Sequence, residues 1–215
     1  WNARFRADGQ QLLTTSWGAD PEIWGLLDFS ARRLQTLVGH VGNVLDGDWS
    51  PDGDRVATVS SDCTGRLWDP TSGRCISVLR GHSESIGQVM FVNGGQSLVT
   101  VSGDSLRIWN SKTGDLVRIL EPTPRAHFTS FSFGSRVVHS ASGTHLAVAF
   151  DDKSVRVFDV SRGEQVSRVD GGDFHVTQMK FMDRDRRLAT ASNDGRVKVW
   201  DWRSGLEILG FDAHL

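Results

Sequence analysis

Residues 39–69 read GHVGNVLDGDWSPDGDRVATVSSDCTGRLWD, and this stretch decides the fold. Two runs typical of β-strands, 44–49 and 55–60, are separated by the turn Ser50-Pro51-Asp52-Gly53. Proline at the second position of a turn and glycine at its fourth suit a type I hairpin turn. A third run ends at Trp68, and a fourth, 75–79, follows another turn that contains glycine. The stretch therefore predicts four short antiparallel strands in succession.

The same pattern recurs along the whole chain. An aromatic residue ends each third run, at spacings of 44, 41, 49 and 42 residues; these residues are Trp24, Trp68, Trp109, Phe158 and Trp200. Four of the five are followed five residues later by a glycine, at positions 73, 114, 163 and 205. A glycine at a fixed offset indicates a turn residue with positive φ. Five such repeats without a helical period predict an all-β fold of five four-stranded antiparallel blades in a β-propeller.

These repeats resemble the WD40 family over essentially the entire chain. Gly39-His40 and Gly81-His82 match the Gly-His element of that family, and Trp68-Asp69 and Trp200-Asp201 match its Trp-Asp element. We place the repeats at approximately 1–38, 39–80, 81–122, 123–170 and 171–215. The resemblance implies a ring of about seven blades, so we expect these five to be part of a larger ring. A ring of five that closes on itself is the alternative.

The resemblance also implies a buried hydrogen-bond network within each blade. In the second repeat the Trp68 indole would donate to Ser60, the Ser60 hydroxyl to His40, and the other imidazole N–H to Asp62. The remaining members are His82, Ser102, Asp104 and Trp109 in the third repeat and Ser192, Asp194 and Trp200 in the fifth. Asp104 lies five residues before its tryptophan instead of six, so we expect the complete network in the second blade alone.

Serine, histidine and aspartate together could instead form a catalytic triad. A nucleophile is needed once, whereas this set recurs from repeat to repeat, so we favour the structural interpretation. Asp151, Asp152 and His175 are scattered candidates for a channel-mouth active site, and there is no Gly-rich phosphate loop. We therefore expect no catalytic residue, no metal and no cofactor.

A partner-binding surface follows from the resemblance as well. In WD40 proteins, recognition often uses residues that flank the start of the first strand of a blade, which here are Asn43, Leu45, Ser85, His175 and Thr177. It also uses the residue before the second-turn aspartate, which here is Trp17, Ser61, Asp151 or Asn193. Trp17 is the strongest candidate as a binding hot spot, although it could instead pack on the first blade or cover the neighbouring blade. The segment 121–127 is either a recognition loop or a plain surface insertion.

Composition and charge exclude several classes of function. The chain has 24 basic and 26 acidic residues and a net charge of −2, which gives no electrostatic footprint for nucleic acid. No apolar run approaches the length of about 18 residues that a membrane helix needs, and the charged run 184–187 is typical of a solvated turn. The two cysteines, Cys63 and Cys75, indicate neither a metal site nor a disulfide framework. We expect an intracellular protein, cytoplasmic or alternatively nuclear.

The first functional hypothesis is a non-catalytic scaffold that binds protein or peptide partners as a subunit of a larger complex. The alternative hypothesis is a regulatory or sensor segment of a larger multidomain signalling protein, such as an ATPase or kinase. Fold alone does not decide between them.

Overall fold

The five predicted blades are confirmed. The computed structural model describes residues 2–27, 30–120, 137–150, 152–170 and 174–213, which form five four-stranded antiparallel sheets. In each sheet the strands are neighbours in chain order, because each is joined to the next by a short turn. The chain divides into two compact units, Trp1–Glu121 and Pro122–Leu215. The segment 121–127 and Asp151, which the sequence singled out, lie outside the described residues.

The first unit contains three blades. The strands of the first blade are β1 Asn2–Phe5, β2 Gln11–Ser16, β3 Ala19–Leu27 and β4 Ser30–Thr36. Those of the second are β5 Val44–Trp49, β6 Val56–Ser60, β7 Gly65–Trp68 and β8 Cys75–Leu79. Those of the third are β9 Ile86–Val92, β10 Ser97–Ser102, β11 Leu106–Asn110 and β12 Leu116–Leu120, with a short 3-10 helix at Asn93–Gly95.

The second unit contains two blades. The strands of the fourth blade are β13 Val137–His139, β14 His145–Ala149, β15 Ser154–Asp159 and β16 Gln165–Asp170. Those of the fifth are β17 Val176–Met182, β18 Arg187–Ser192, β19 Arg196–Asp201 and β20 Leu206–Asp212.

The hydrophobic core lies between neighbouring blades within each unit. Every residue of β6 is buried, because blades pack against both faces of the second blade. Among the described residues, apolar clusters join successive blades. Their members are Leu13, Ile23 and Leu37 with Trp49, Val56 and Trp68; Ala57, Val59, Leu67 and Leu79 with Ile86, Val89, Phe91, Leu98 and Trp109; and Val155, Val157 and Val169 with Met179, Phe181, Leu188 and Trp200. Burial on both faces explains why the middle strands are apolar without alternation.

The turn after each aromatic residue has the predicted geometry. At Gly73, Gly114, Gly163 and Gly205 φ lies between 69° and 78°, so a residue with a side chain would be strained there. In each case the glycine N–H donates to the main-chain carbonyl four residues earlier, for example from Gly73 to Asp69 at 2.9 Å. The hairpin at residues 50–53 also closes as predicted, with the Gly53 N–H donating to Ser50 at 2.9 Å.

The charged run 184–187 is more than a solvated turn. The Asp185 carboxylate accepts hydrogen bonds from the main-chain N–H groups of Ala141 (2.7 Å) and Ser142 (3.0 Å) in the neighbouring blade. Burial would raise the pKa of Asp185, but these two donors hold it below its usual value. The Asp185 carbonyl accepts from the Trp202 indole at 2.9 Å. Asp185 therefore ties the two blades of the second unit together, which composition alone did not indicate.

Candidate functional site

A buried hydrogen-bond chain crosses the second blade. The Trp68 indole N–H donates to Thr58 Oγ1 at 2.8 Å, and Thr58 Oγ1 lies 2.9 Å from His40 Nε2. On its other side the imidazole places Nδ1 2.9 Å from Asp62 Oδ2. Every group is satisfied when the Thr58 hydroxyl donates to Nε2 and Nδ1–H donates to Asp62.

The hydroxyl in this chain belongs to Thr58, not to Ser60 as the sequence analysis proposed. Val56 is directly opposite Trp68 in the β6–β7 register, so Thr58, two residues along, is its diagonal neighbour on the same face. Ser60 lies a further two residues, about 7 Å, along the strand and out of reach of the indole. Its hydroxyl instead accepts the Asp62 main-chain N–H at 3.1 Å.

The third blade carries the same complete chain, which corrects the expectation that only the second blade would. The Trp109 indole donates to Thr100 Oγ1 at 2.8 Å, which lies 2.8 Å from His82 Nε2, and His82 Nδ1 lies 2.6 Å from Asp104. The turn is one residue shorter here, yet the carboxylate of Asp104 still reaches the imidazole. Ser102 is again outside the chain, since its hydroxyl donates to the main-chain carbonyl of Ser85 at 3.0 Å.

The protonation states agree with this geometry. Burial lowers the pKa of both His40 and His82, and the hydrogen bond to the partner carboxylate opposes that shift. Burial would raise the pKa of Asp62, but hydrogen bonds from Thr64 and His40 outweigh it and hold the pKa well below its usual range. Burial would likewise raise the pKa of Asp104, but hydrogen bonds from His82 and from the Ser83 main-chain N–H outweigh it and place the pKa at about 2. Neutral imidazoles therefore donate to ionised carboxylates at neutral pH.

The other blades keep only parts of the chain. In the first and fifth blades the tryptophan still donates to a threonine, from Trp24 to Thr14 at 3.1 Å and from Trp200 to Thr190 at 2.9 Å. In the fifth blade, the predicted members Ser192 and Asp194 bond to each other at the turn. Among the described residues of these two blades, no imidazole continues the chain of bonds.

The fourth blade replaces the chain with an arginine. Phe158 stands opposite Leu146, where the other blades have their tryptophan, and Phe150 stands at the serine position. Arg156 lies over the Phe150 ring at 4.3 Å and pairs with Asp152 at 2.6 Å. A guanidinium that is stacked on an aromatic ring and paired with a carboxylate can be buried at low cost.

A surface held by hydrogen bonds between loops lies at one end of the first three blades, and we call its residues Trp17, Val41, Asn43, Ser61 and Ser85 the rim. The Gly18 N–H donates to Asn43 Oδ1 at 3.0 Å, which joins the first blade to the second. Asn43 and Ser61 exchange two bonds of 2.9 Å, and the Ser85 hydroxyl reaches the Ser61 carbonyl at 3.5 Å. Four predicted partner-binding residues are thus brought together.

Two apolar side chains project from the rim. Trp17 is 67% exposed, and Val41 is 92% exposed. Val41 is held through its main-chain N–H, which donates to Asp62 at 3.0 Å. Next to it, a Cβ atom on Gly42 would lie 2.6 Å from Ser61 Oγ, so the close approach of the two loops requires glycine. Val41 was not predicted from the sequence, where its signal is its place directly after His40.

Comparison with known families decides what this architecture is. A family model described as "WD domain, G-beta repeat" matches residues 31–69, 73–110 and 163–201, more than half of the chain. The chain belongs to the WD40 family. Each match begins in the fourth strand of one sheet, or in the turn before it, and ends at the aromatic end of the third strand of the next sheet. The WD40 sequence repeat therefore spans two blades, and the loop that carries His40 joins them.

Individual WD40 relatives are moderately similar. Protein tipD of Dictyostelium discoideum is 26% identical over 205 residues, which cover 93% of this chain and 32% of that protein. The COMPASS component SWD3 of Saccharomyces cerevisiae is 29% identical over 222 residues, 98% of this chain and 67% of that protein. Small ribosomal subunit protein RACK1y of Oryza sativa is 28% identical over 150 residues, 70% of this chain and 44% of that protein. The chain thus spans about a third of tipD, two thirds of SWD3 and less than half of RACK1y.

The described partner-binding candidates outside the rim are Leu45, His175, Thr177 and Asn193. Leu45 is half-buried at the irregularity between Val44 and Asp46. In the second unit, Thr177 lies at the matching irregularity of β17, and the Asn193 N–H donates to the His175 carbonyl at 3.1 Å, as Ser61 does to Asn43. Among the described residues, no helix has the length and apolar character that crossing a bilayer requires, and no three metal-ligating side chains converge.

Proposed function

We propose that this WD40 chain is a non-catalytic scaffold that binds protein or peptide partners through the rim, with Trp17 as the anchor. The observation that carries the proposal is an exposed tryptophan on a surface held by hydrogen bonds across three blades. Tryptophan is enriched at binding hot spots, because it buries a large area while losing few rotamers. A preorganised surface also loses little entropy when a partner docks.

The polar chains within the blades support the non-catalytic part of the proposal. Thr58 and Thr100 are fully buried, and each hydroxyl accepts an indole hydrogen bond. A hydroxyl in that position has no path to a substrate, so it serves the fold. The printed names of two relatives, a COMPASS component and a small ribosomal subunit protein, describe members of assemblies. They support the proposal that this chain, too, works as a subunit of a complex.

The test is selection of peptides from a random library displayed on phage, with the purified chain as bait. Affinities of the enriched peptides are then measured by fluorescence anisotropy for the wild type, for Trp17→Ala and for Leu206→Ala. Leu206 is the matched control, since it is also apolar and 67% exposed but lies on β20. We expect Trp17→Ala to weaken binding by about tenfold or more, which corresponds to about 1.4 kcal/mol, and Leu206→Ala to leave it unchanged.

Two outcomes would contradict the proposal. One is that the enriched peptides bind Trp17→Ala as tightly as the wild type, which would place the binding surface elsewhere. The other is that no peptide is enriched above the background of the uncoated support. Equal urea midpoints of the two variants and the wild type exclude a trivial loss of fold.

A further inference from the structure

Two aspartates lie on β5, the first strand of the second blade. They are Asp46 and Asp48 of β5, and since they are two residues apart they point to the same side of the strand. Asp46 is only 4% exposed, and Asp48 is half-buried. Carboxylates are rarely buried without a partner, so their surroundings indicate what they do.

Both carboxylates reach out of their own sheet. Asp46 Oδ1 accepts from the Asn2 side chain on β1, and Asp46 Oδ2 accepts from the Val89 main-chain N–H on β9 at 3.0 Å. Asp48 Oδ2 accepts from the Phe91 main-chain N–H on β9 at 2.9 Å. The strand β9 is the edge of its sheet, so these carboxylates supply the acceptors that a neighbouring strand otherwise would.

We propose that Asp46 and Asp48 form a proton-sensitive latch between the first strands of the first three blades, and that ionisation of the two buried carboxyls destabilises the packing of these blades. This inference goes beyond partner binding, because it concerns how the blades that carry the rim are held together. Asp46 bonds to the first and the third blade and Asp48 bonds to the third, so a change in their charge acts on all three blades.

Few charges compensate these carboxylates. The strands packed against β5 are β1, β2, β3, β6 and β9. Of these, β1 contributes Arg4, and β3 contributes Asp20 and Glu22, whereas the residues of β2, β6 and β9 include no ionisable side chain. Arg4 is therefore the only basic side chain on these described strands, and Glu22 is already paired with Arg33 at 2.8 Å.

The balance of burial, hydrogen bonds and neighbouring charges raises the pKa of both aspartates. Burial raises the pKa of Asp46, although the Val89 N–H and Arg4 oppose it. Burial, with a smaller contribution from the like charge of Asp46, raises the pKa of Asp48 to about 6, and the Phe91 N–H and Arg4 oppose this rise. An aspartate in the unfolded chain has a pKa near 3.8. The folded chain therefore binds more protons than the unfolded chain from about pH 4 to about pH 6, and across that window this contribution to stability falls as pH rises.

Histidines act in the opposite direction within the same range. His40 and His82 have lowered pKa values, so their contribution to stability falls as the pH drops below the usual value near 6.5. The pH dependence of the wild type alone therefore mixes the two effects. The difference between the wild type and a variant without the latch carboxylates isolates the latch.

The test measures unfolding by urea between about pH 4.5 and about pH 7.5 for the wild type, Asp48→Asn and the Asp46→Asn, Asp48→Asn double variant. Asparagine keeps the shape and an acceptor oxygen for the β9 N–H groups but does not ionise. Asp54→Asn is the control, because Asp54 is exposed on a turn of the same blade. We expect the unfolding constant of the wild type relative to the double variant to rise by about tenfold or more across the range. The control should follow the wild type.

A ratio that does not change with pH would overturn the latch. A second measurement covers the case in which the double variant fails to fold. The Asp48 carboxyl carbon of the wild type is titrated by NMR, and the Phe91 amide protection factor is followed in parallel. We expect a midpoint near pH 6 and a protection factor that falls above it; a midpoint near 3.8 overturns the proposal.

Discussion

Replacing Thr58 with valine tests which hydroxyl completes the chain from Trp68 to Asp62. Valine has nearly the shape of threonine, so the change removes the hydroxyl and little else. It leaves the Trp68 indole N–H without an acceptor and His40 Nε2 without a donor, at a site that is fully buried. A buried polar group without a partner costs about 1–3 kcal/mol, so two such groups predict a loss of about 2–6 kcal/mol.

Other substitutions test the same prediction, because each removes a different number of hydrogen bonds from the chain. Ser60→Ala removes a single bond to the Asp62 N–H and should cost about 1 kcal/mol. Thr100→Val should match Thr58→Val, because the third blade repeats the whole chain. Thr190→Val should fall between them, since only the Trp200 indole loses its acceptor.

The assay is urea denaturation followed by circular dichroism, with native-state hydrogen exchange to localise the loss to β6 and β7. The expected order of cost is Thr58→Val and Thr100→Val first, then Thr190→Val, then Ser60→Ala. If Ser60→Ala costs as much as Thr58→Val, the serine does belong to the chain and the reasoning from strand register is wrong.

Two further predictions concern carboxylates that accept main-chain hydrogen bonds. Asp185→Ala should destabilise the second unit by about 1–2 kcal/mol and speed amide exchange at Ala141 and Ser142, which lose a charged acceptor; unchanged exchange would mean that water serves equally well. The low pKa of Asp104 contributes stability above the unfolded pKa near 3.8, and that contribution, about 2 kcal/mol, is lost as pH falls toward 2. Asp104→Asn should remove this acid dependence in urea melts, and a variant with the wild-type slope would contradict the assigned pair with His82.

The limits of sequence reasoning are clearest in the polar chains. A threonine precedes each of the four tryptophans by nine or ten residues, and this signal was present in the sequence. Serine recurs two residues later, so periodicity alone does not separate the two hydroxyls. Both lie on one face of the same strand, and only the pairing of Val56 with Trp68 shows which one the indole can reach.

The rim was predictable in part for a related reason. Asn43, Ser61 and Ser85 occupy fixed places in the repeat, so the family resemblance located them before the fold was known. Whether Trp17 packs inward or projects outward depends on what the neighbouring blade presents to it, and that is a property of the assembled unit. Val41 has no polar signature in the sequence, and its exposure follows from a loop held by its main chain.

By itself, the sequence determined the features that depend on neighbouring residues along the chain. These are the four-strand repeat, the hairpin turn at Pro51 and the positive φ at glycines such as Gly73, since turn geometry and strand period are local. The tertiary structure decided which side chains meet across strands and blades: Thr58 with Trp68, and Asp46 with Val89. Those contacts depend on strand register and on distances between segments far apart in the chain. A shift of two residues along a strand, about 7 Å, is enough to break a hydrogen bond between two side chains.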